Sequence, residues 1–522
     1  MPSPRSILLV LALASLPLPV HADDSPPASP VPSVATHAIR GKVRFAGTPP
    51  TPETIHAHHD SHVCGKGGPM VDESLLVDAS GGLANTIVVI QGVTPVLAAV
   101  AAPGPSRAPS LDQRNCTFIP HAQSVTQGSE LAIQSNDPIL HNIHGFLGKR
   151  TVFNLAIPVA NKVVSRRLDE AGIIRIRCDS GHTWMSAYIA VVPHRFHATT
   201  ARDGSFEIAG LPRGSYTLRA WHEKLGAVEQ RVEVADGDAQ ISMTFRAPSS
   251  DTPAPRTPPA EPSFDDALIS TRTAVQQVDE RQRAEQRARY LSEGRPLFHK
   301  FCATCHGDRA NGTGPSARFT STPPRDLTRG TFKFRMTPAG SPPSEADLVR
   351  TIAVGVRGTH MPSWRGTLTR AQITTLARYV MALSDAFWTG TPLPPPLDIP
   401  AEPPYDQSSV ARGKALYAKM SCATCHGSSG AGNGQAAAAL KDDWGHSIKP
   451  ADFTTGVFKG GCCGAAVFRA ISTGLAGTPM PAFGGAMTDA ERWDLSHYIV
   501  SLGRHRPAVD YLLAPAGRIT PP

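Results

Sequence analysis

Short apolar runs, several of them β-branched and alternating, recur through the first half of the chain: IRGKVRFAG (39–47), NTIVVIQG (85–92), IIRIR (173–177), AYIAVV (187–192), SFEIAG (205–210), YTLRAW (216–221) and QRVEVA (230–235). Turn residues bound each run. Such patterning predicts strands, so residues 37–247 are expected to form an all-β region. Beyond it the pattern changes. VDERQRAEQRARYLSEG (278–294) alternates charge at helical spacing and predicts a solvated helix leading into the next domain. LARYVMAL (376–383) and LSHYIVSL (495–502) predict two further helices, each closing a segment.

Two proline-rich breaks, 247–263 and 391–404, divide these regions and read as extended linkers. The expected order is a β region (37–247), a linker with the charged helix (248–284), a helical domain (285–390), a linker (391–404), a second helical domain (405–504) and a tail (505–522). The two helical segments are copies of each other. GRPLFHKF (294–301) matches GKALYAKM (413–420), and RDLTRGTFK (325–333) matches ADFTTGVFK (451–459). TIAVGVRGTHMPSW (351–364) matches AISTGLAGTPMPAF (470–483). Gly312 and Gly314 match Gly432 and Gly434, and Tyr379 matches Tyr498.

A chain of 522 residues is too long for one core. Its net charge of +8 is spread along the sequence, with no basic run interleaved with aromatics, so nucleic acid is not an expected partner. The N-terminus carries Arg5, an apolar stretch from Ile7 to Leu16 and a small-residue end at Ala22. This reads as a secretory signal peptide over residues 1–22. A retained anchor fits less well, because the run is short and Pro17 and Pro19 follow it. No later stretch is long and apolar enough to span a bilayer. The mature protein is expected to be soluble and exported, in the periplasm or an equivalent compartment where disulfides form.

Each helical copy contains CATCH: Cys302, Cys305 and His306 in the first, Cys422, Cys425 and His426 in the second. Two thiols at this spacing reach the two vinyl groups of one haem, and the adjacent histidine lies under the iron. A zinc or dithiol reading of Cys-x-x-Cys is the alternative, and the export signal and the repeat weigh against it. Met361 and Met480 stand in matching Gly-Thr-x-Met-Pro turns, about 55 residues downstream, and are the expected sixth ligands. His360 is a rival to Met361, but its counterpart is Pro479. Each segment resembles a class I cytochrome c domain. The resemblance implies an all-helical fold, crossed N- and C-terminal helices, covalently bound haem c and one-electron transfer. With His/Met ligation at both irons neither has an open position, which disfavours peroxidase chemistry. Cys462 and Cys463 fall where the first copy has a longer loop, and read as thiols or a vicinal disulfide before any metal role.

The β region resembles two families at once. IRGKVRFAGTPP, ANTIVVIQG and TARDGSFEIAGLPRGSYTLRAWHEKLG resemble a carboxypeptidase-regulatory-type β-sandwich module. The segment between its halves, about 111–195, resembles a cupredoxin. That resemblance implies a mononuclear copper site with His141, Cys178, His182 and Met185 as ligands: a thiolate, two imidazoles and an axial thioether. His144 is an alternative to His141. Cys-x3-His-x2-Met also resembles half of a binuclear copper loop, but Ile174 stands where a second cysteine would be needed. His56, His58, His59, His62 and His121 are expected at the surface, and Cys64 and Cys116 are expected to form a disulfide.

The expected function is a di-haem c-type cytochrome with one copper ion that relays single electrons between periplasmic redox proteins. Two other readings remain. One is a copper- or haem-dependent oxidoreductase with a substrate site in the β region. The other is a di-haem carrier whose β region docks a partner without copper.

Overall fold

The computed structural model describes residues 36–93, 108–148, 150–246, 274–461 and 463–503. The expected signal peptide, the first linker up to residue 273, Cys462 and the tail from 505 lie outside these residues.

An N-terminal β-rich region precedes C-terminal helical domains, the multidomain class that the patterning predicts. The β region consists of two sandwiches. In the outer one, His37–Ala46 pairs with Ser205–Leu211 and Ala239–Arg246, and this sheet faces another of order His197–Thr199, Ile87–Gln91, Gly214–His222, Gly226–Val234. Burial alternates along Gly214–His222, as a half-buried strand requires. Ile39, Val43, Ile90, Phe196, Phe206 and Phe245 fill the space between the sheets.

The inner sandwich is inserted between Ile87–Gln91 and His197–Thr199, which pair with each other. The insertion therefore leaves and returns at one place. Its larger sheet has the order Arg150–Ile157, His141–Leu147, Gly172–Arg177, Ser186–Val192, Ala122–Thr126. The smaller one runs Val164–Arg167, Glu130–Ser135, Ser110–Arg114, Thr117–Ile119. Leu111, Phe118, Leu131, Ile133, Ile143 and Ile176 pack between them. His141–Leu147 and Arg150–Ile157 do not alternate and are buried almost throughout, so both of their faces are covered.

The helical domains supply that cover. Arg150–Ile157 is an edge strand, and its unpaired groups are met from the second helical domain: Ala156 N–H donates to Ala482 O at 3.0 Å and Ala482 N–H to Asn154 O at 2.9 Å. From the first, Ala339 O accepts from the Arg166 guanidinium at 3.1 Å. A capped edge no longer offers a template for other chains.

Each helical domain is built on one crossing. In the first, Ala274–Phe301 crosses Arg370–Ala382; in the second, Gln407–Lys419 crosses Asp489–Ser501. Phe298 meets Tyr379 and Tyr417 meets Tyr498, with ring centroids 4.9 and 5.3 Å apart. Glycine permits this approach. A Cβ on Gly294 would lie 2.3 Å from Tyr379 Cβ, and one on Gly413 would lie 2.0 Å from Asp494 O. Reciprocal N-terminal caps start the helices at Ser344, Thr369, Asp406 and Thr488. The charged stretch 278–294 is helical and leads into the next domain as expected: Ala274–Phe301 runs unbroken through it to the first CATCH. Arg287 holds it down by donating to Ala382 O at 2.8 Å.

Candidate metal centres

A thiol and two imidazoles converge at one end of the inner sandwich. Cys178 follows the strand Gly172–Arg177, and His141 opens the neighbouring strand, paired with it in register from His144 to Leu147. His182 and Met185 lie on the turn that leads into Ser186–Val192. Met185 N–H donates to His182 O at 3.0 Å, which tightens that turn. Gly181 adopts φ +99°, and a Cβ there would lie 2.9 Å from the His59 ring.

Cys178 Sγ is 3.8 Å from His141 Nδ1 and 3.6 Å from His182 Nδ1. The three ligand atoms lie within 4.8 Å of one another. Met185 is buried in the same core cluster as Cys178. The far nitrogens of both rings face carboxylates: His141 Nε2 is 3.0 Å from Asp137 Oδ2, and His182 Nε2 is 3.1 Å from Asp60 Oδ2. A carboxylate there accepts a hydrogen bond from Nε2–H and directs Nδ1 inward. Asp137 is itself fixed by the N–H groups of Asn115 and Cys116, each at 2.8 Å. Asn142 Oδ1 accepts from Asp179 N–H at 2.6 Å and lies 3.4 Å from Cys178 Sγ.

The electrostatics suit a bound cation. Burial pushes the Cys178 thiol up, but hydrogen bonds and charge from His141 and His182 outweigh it and bring the pKa down to about 6. Burial pushes the His141 imidazole down, and Asp137 and Cys178 together raise it to about 9. In the metal-free site these shifts pair a Cys178 thiolate with a protonated His141, and a bound cation would displace the His141 Nδ1 proton; one thiolate, two Nδ1 atoms and a nearby thioether form a donor set that fits copper.

The geometry favours His141 over the alternative His144, and two expectations of surface histidines change here. His144 does not join the cluster: its Nδ1 lies 2.5 Å from Asp179 Oδ2 and its Nε2 2.9 Å from Thr151 Oγ1. The His56–His62 loop is not simply solvated. His56, His58 and His62 are exposed, but His59 is half-buried, 2.9 Å from Asp60, with its ring edge-on to His182. The reason is the Cys64–Cys116 disulfide, which ties this loop to the inner sandwich and lays it over His182. His121 is also buried, paired with Glu223. Asp60, Asp137 and Asn142 were missed as functional residues. Asp137 alone had a signal, lying four residues before His141 in the run NDPILH (136–141).

The CATCH motifs form matching short helices, Ala303–His306 and Ala423–His426. His306 Nδ1 hydrogen-bonds Arg325 O at 3.0 Å, and His426 Nδ1 hydrogen-bonds Ala451 O at 3.2 Å. This fixes the tautomer and leaves Nε2 for an iron. Burial lowers both imidazoles, with the carbonyl bonds opposing it. It raises the Cys302 and Cys422 thiols to about 12. The repeated Gly314 and Gly434 have a steric cause: a Cβ would fall 2.5 Å from Thr304 O and 2.3 Å from Thr424 O.

The methionine turns are also alike. Val356 N–H donates to Met361 O and Met361 N–H to Thr359 Oγ1; Leu475, Met480 and Thr478 repeat the pattern. Met361 and His306 line one apolar cavity with Phe298, Leu348 and Leu376. His360 lies at its exposed rim. In the second domain Met480 packs with Cys422, Tyr417 and Tyr498, and His426 stacks on Phe453 at 4.4 Å. Cys463 opens the helix Cys463–Thr473 with φ +79°.

Residues 410–503 match the cytochrome c family model, and residues 290–380 match the model for subunit III of cbb3-type cytochrome c oxidase. A cbb3-type cytochrome c oxidase subunit CcoP of Azospirillum sp. (strain B510) is 28% identical over 47% of this chain and 73% of its own length. Subunit FixP of Azorhizobium caulinodans is 26% identical over 41% of this chain, and the match spans 59% of that relative. Among solved structures, a chain of the Kuenenia stuttgartiensis reducing HAO-like protein complex is 40% identical over 41% of this chain and 96% of its own, with a TM-score of 0.40. A purple cupredoxin from Nitrosopumilus maritimus is 17% identical over 16% of this chain, with a TM-score of 0.14. No helix among the described residues is long and apolar enough to cross a membrane. The C-terminal half of the chain thus carries cytochrome c domains, whose motifs imply covalently bound haem c.

Proposed function

We propose that the protein is an exported one-electron relay with three centres: a mononuclear copper held by His141, Cys178, His182 and Met185, and two haems c ligated by His306/Met361 and His426/Met480. The observation that carries this reading is the inward-facing set of Cys178 Sγ and two Nδ1 atoms, with both Nε2 atoms held by carboxylates. Copper there would supply one-electron chemistry. The chain's own contribution is to hold the thiolate and imidazoles in fixed positions, so that little rearranges on electron transfer. Both imidazoles are fully buried, which leaves a substrate no access and counts against the oxidoreductase reading. The curated relatives named above are oxidase subunits, in keeping with redox proteins as partners. The cleaved peptide would be residues 1–22.

Copper and iron quantitation on the mature protein and on Cys178→Ser tests the reading. One copper and two irons per chain are expected, with copper lost and iron retained in the variant. Unchanged copper in Cys178→Ser would overturn the site, and a high-spin haem in the isolated protein would overturn the His/Met assignment.

A further inference from the structure

We infer that Asn142, Asn154 and Thr478 form the route by which single electrons pass between the copper site and the second haem, an internal exchange that rests on the copper reading above. The contacts run without a gap. From Cys178 the peptide bond leads to Asp179, whose N–H donates to Asn142 Oδ1 at 2.6 Å. Asn142 Nδ2 donates to Asn154 Oδ1 at 2.8 Å, and Asn154 Nδ2 donates to Thr478 O at 3.2 Å. Thr478 Oγ1 then accepts from Met480 N–H at 3.2 Å, on the turn that presents the sixth ligand.

Three further observations favour this direction over others. The chain is buried: Asn142, Asn154 and Thr478 are 1%, 7% and 5% exposed, so no water layer interrupts it. Asn154 also binds the haem domain through its backbone, since its carbonyl accepts from Ala482 N–H at 2.9 Å. Main chain and side chain of one residue therefore fix the distance between the two sites. Finally, the other side of the cluster is closed. His141 and His182 are both 0% exposed, and the disulfide-tethered loop with Asp60 covers His182. Neither imidazole offers an edge to solvent.

Two buried asparagines are costly unless each is satisfied. Here they satisfy each other and the Thr478 carbonyl across the boundary between domains, so the pair is specific to the docked arrangement. With both groups bound the exchange would balance simply: one electron would leave copper(I) held by Cys178 and arrive at haem iron(III), giving copper(II) and iron(II), with no proton or ligand released. The reverse has the same balance. The redox partner of the proposed function supplies or removes the electron at the other end.

The test uses the full mature protein with Asn154→Leu, which breaks both side-chain bonds, and Asn154→Asp, which keeps the acceptor for Asn142 and loses the donor to Thr478. Copper and iron content and the potentials of the centres are measured first, then the rate of copper–haem equilibration after pulse radiolysis. At equal driving force the rate is expected to fall several-fold in both variants, more in Asn154→Leu, with metal content retained. Asn154→Asp decides the matter where Asn154→Leu does not fold. A rate unchanged in a metal-replete variant overturns the route and leaves the copper site standing. A wild-type protein without copper overturns the copper reading itself, and the route with it.

Discussion

Around Met361, the turn of the first cytochrome domain presents His360, Pro362 and Ser363 to solvent, whereas around Met480 in the second domain Pro481, Ala482 and Phe483 are buried. The two turns share their hydrogen bonds, and the two domains share their helix crossing and their CATCH geometry. What differs is what lies against them. The second domain leans on the strand Arg150–Ile157 and contributes to a core that includes Leu140 and Ala156 of the β region. The first keeps its methionine turn open. One duplicated frame has thus been put to two positions. In the proposed relay the buried copy exchanges with the copper site, and the open copy is the one that an external redox protein can approach. The two copies also touch each other: the Arg325 guanidinium, whose backbone carbonyl holds His306, stacks over Trp444 at 4.2 Å.

The frame itself should be the most sensitive part. Gly413→Ala forces a Cβ against the Asp494 carbonyl, which cannot move aside, and is expected to cost about 3 kcal/mol, the upper range for overpacking. Gly294→Ala meets the Tyr379 side chain and is expected to cost less, about 1–2 kcal/mol. Denaturation followed at the haem bands measures both. Equal, negligible losses would break the claim that the crossings demand glycine.

Ligand access should separate the copies next. In Met361→Ala and Met480→Ala each haem would lose its proposed sixth ligand, and its potential is expected to fall. Added imidazole should then bind several-fold faster to the first haem than to the second, as followed by stopped-flow absorbance. Equal rates would mean that the β region does not shield the second turn. A finer contrast lies in amide exchange. Ala482 N–H is bonded to Asn154 O inside the contact and is expected to be protected, while Ser363 N–H in the open turn exchanges quickly. Hydrogen-exchange mass spectrometry over residues 361–364 and 480–483 reads the difference.

The smallest effect concerns the centre that the second copy leans on. In copper-free protein the Cys178 thiol, lowered to about 6, is ionised well below the usual thiol range. A depressed pKa contributes stability that is present above the unfolded value, near 9, and is lost as pH falls through about 6. The thiolate absorbance difference between wild type and Cys178→Ser should titrate near pH 6, and a midpoint near 9 would contradict the imidazole contacts.

Much of this was legible in the sequence, because the residues that carry it act through local spacing. The CATCH motifs, the Gly-Thr-x-Met-Pro turns and Cys-x3-His-x2-Met are short-range patterns, and the duplication marked the glycines that later proved sterically required. Cys64 and Cys116 form the expected disulfide. The rest depends on contacts between distant segments. Asp60 reaches His182 across 122 positions and Asn154 reaches Thr478 across 324, which no periodicity registers. The His56–His62 loop was read as surface because imidazoles without a thiolate or carboxylate frame are commonly solvated; the disulfide draws part of it inward, where Asp60 meets His59 and His182. The charged stretch 278–294 was legible from its charge alternation as a solvated helix leading into the next domain, and it runs on into the turn that carries Phe298.

The most direct measurement is paramagnetic resonance of the oxidised mature protein, with copper and iron counted in the same sample. One mononuclear thiolate–copper signal alongside two low-spin ferric haems is the predicted result. Two haems with no copper signal, or a haem that is high-spin as isolated, would contradict the account of three linked one-electron centres.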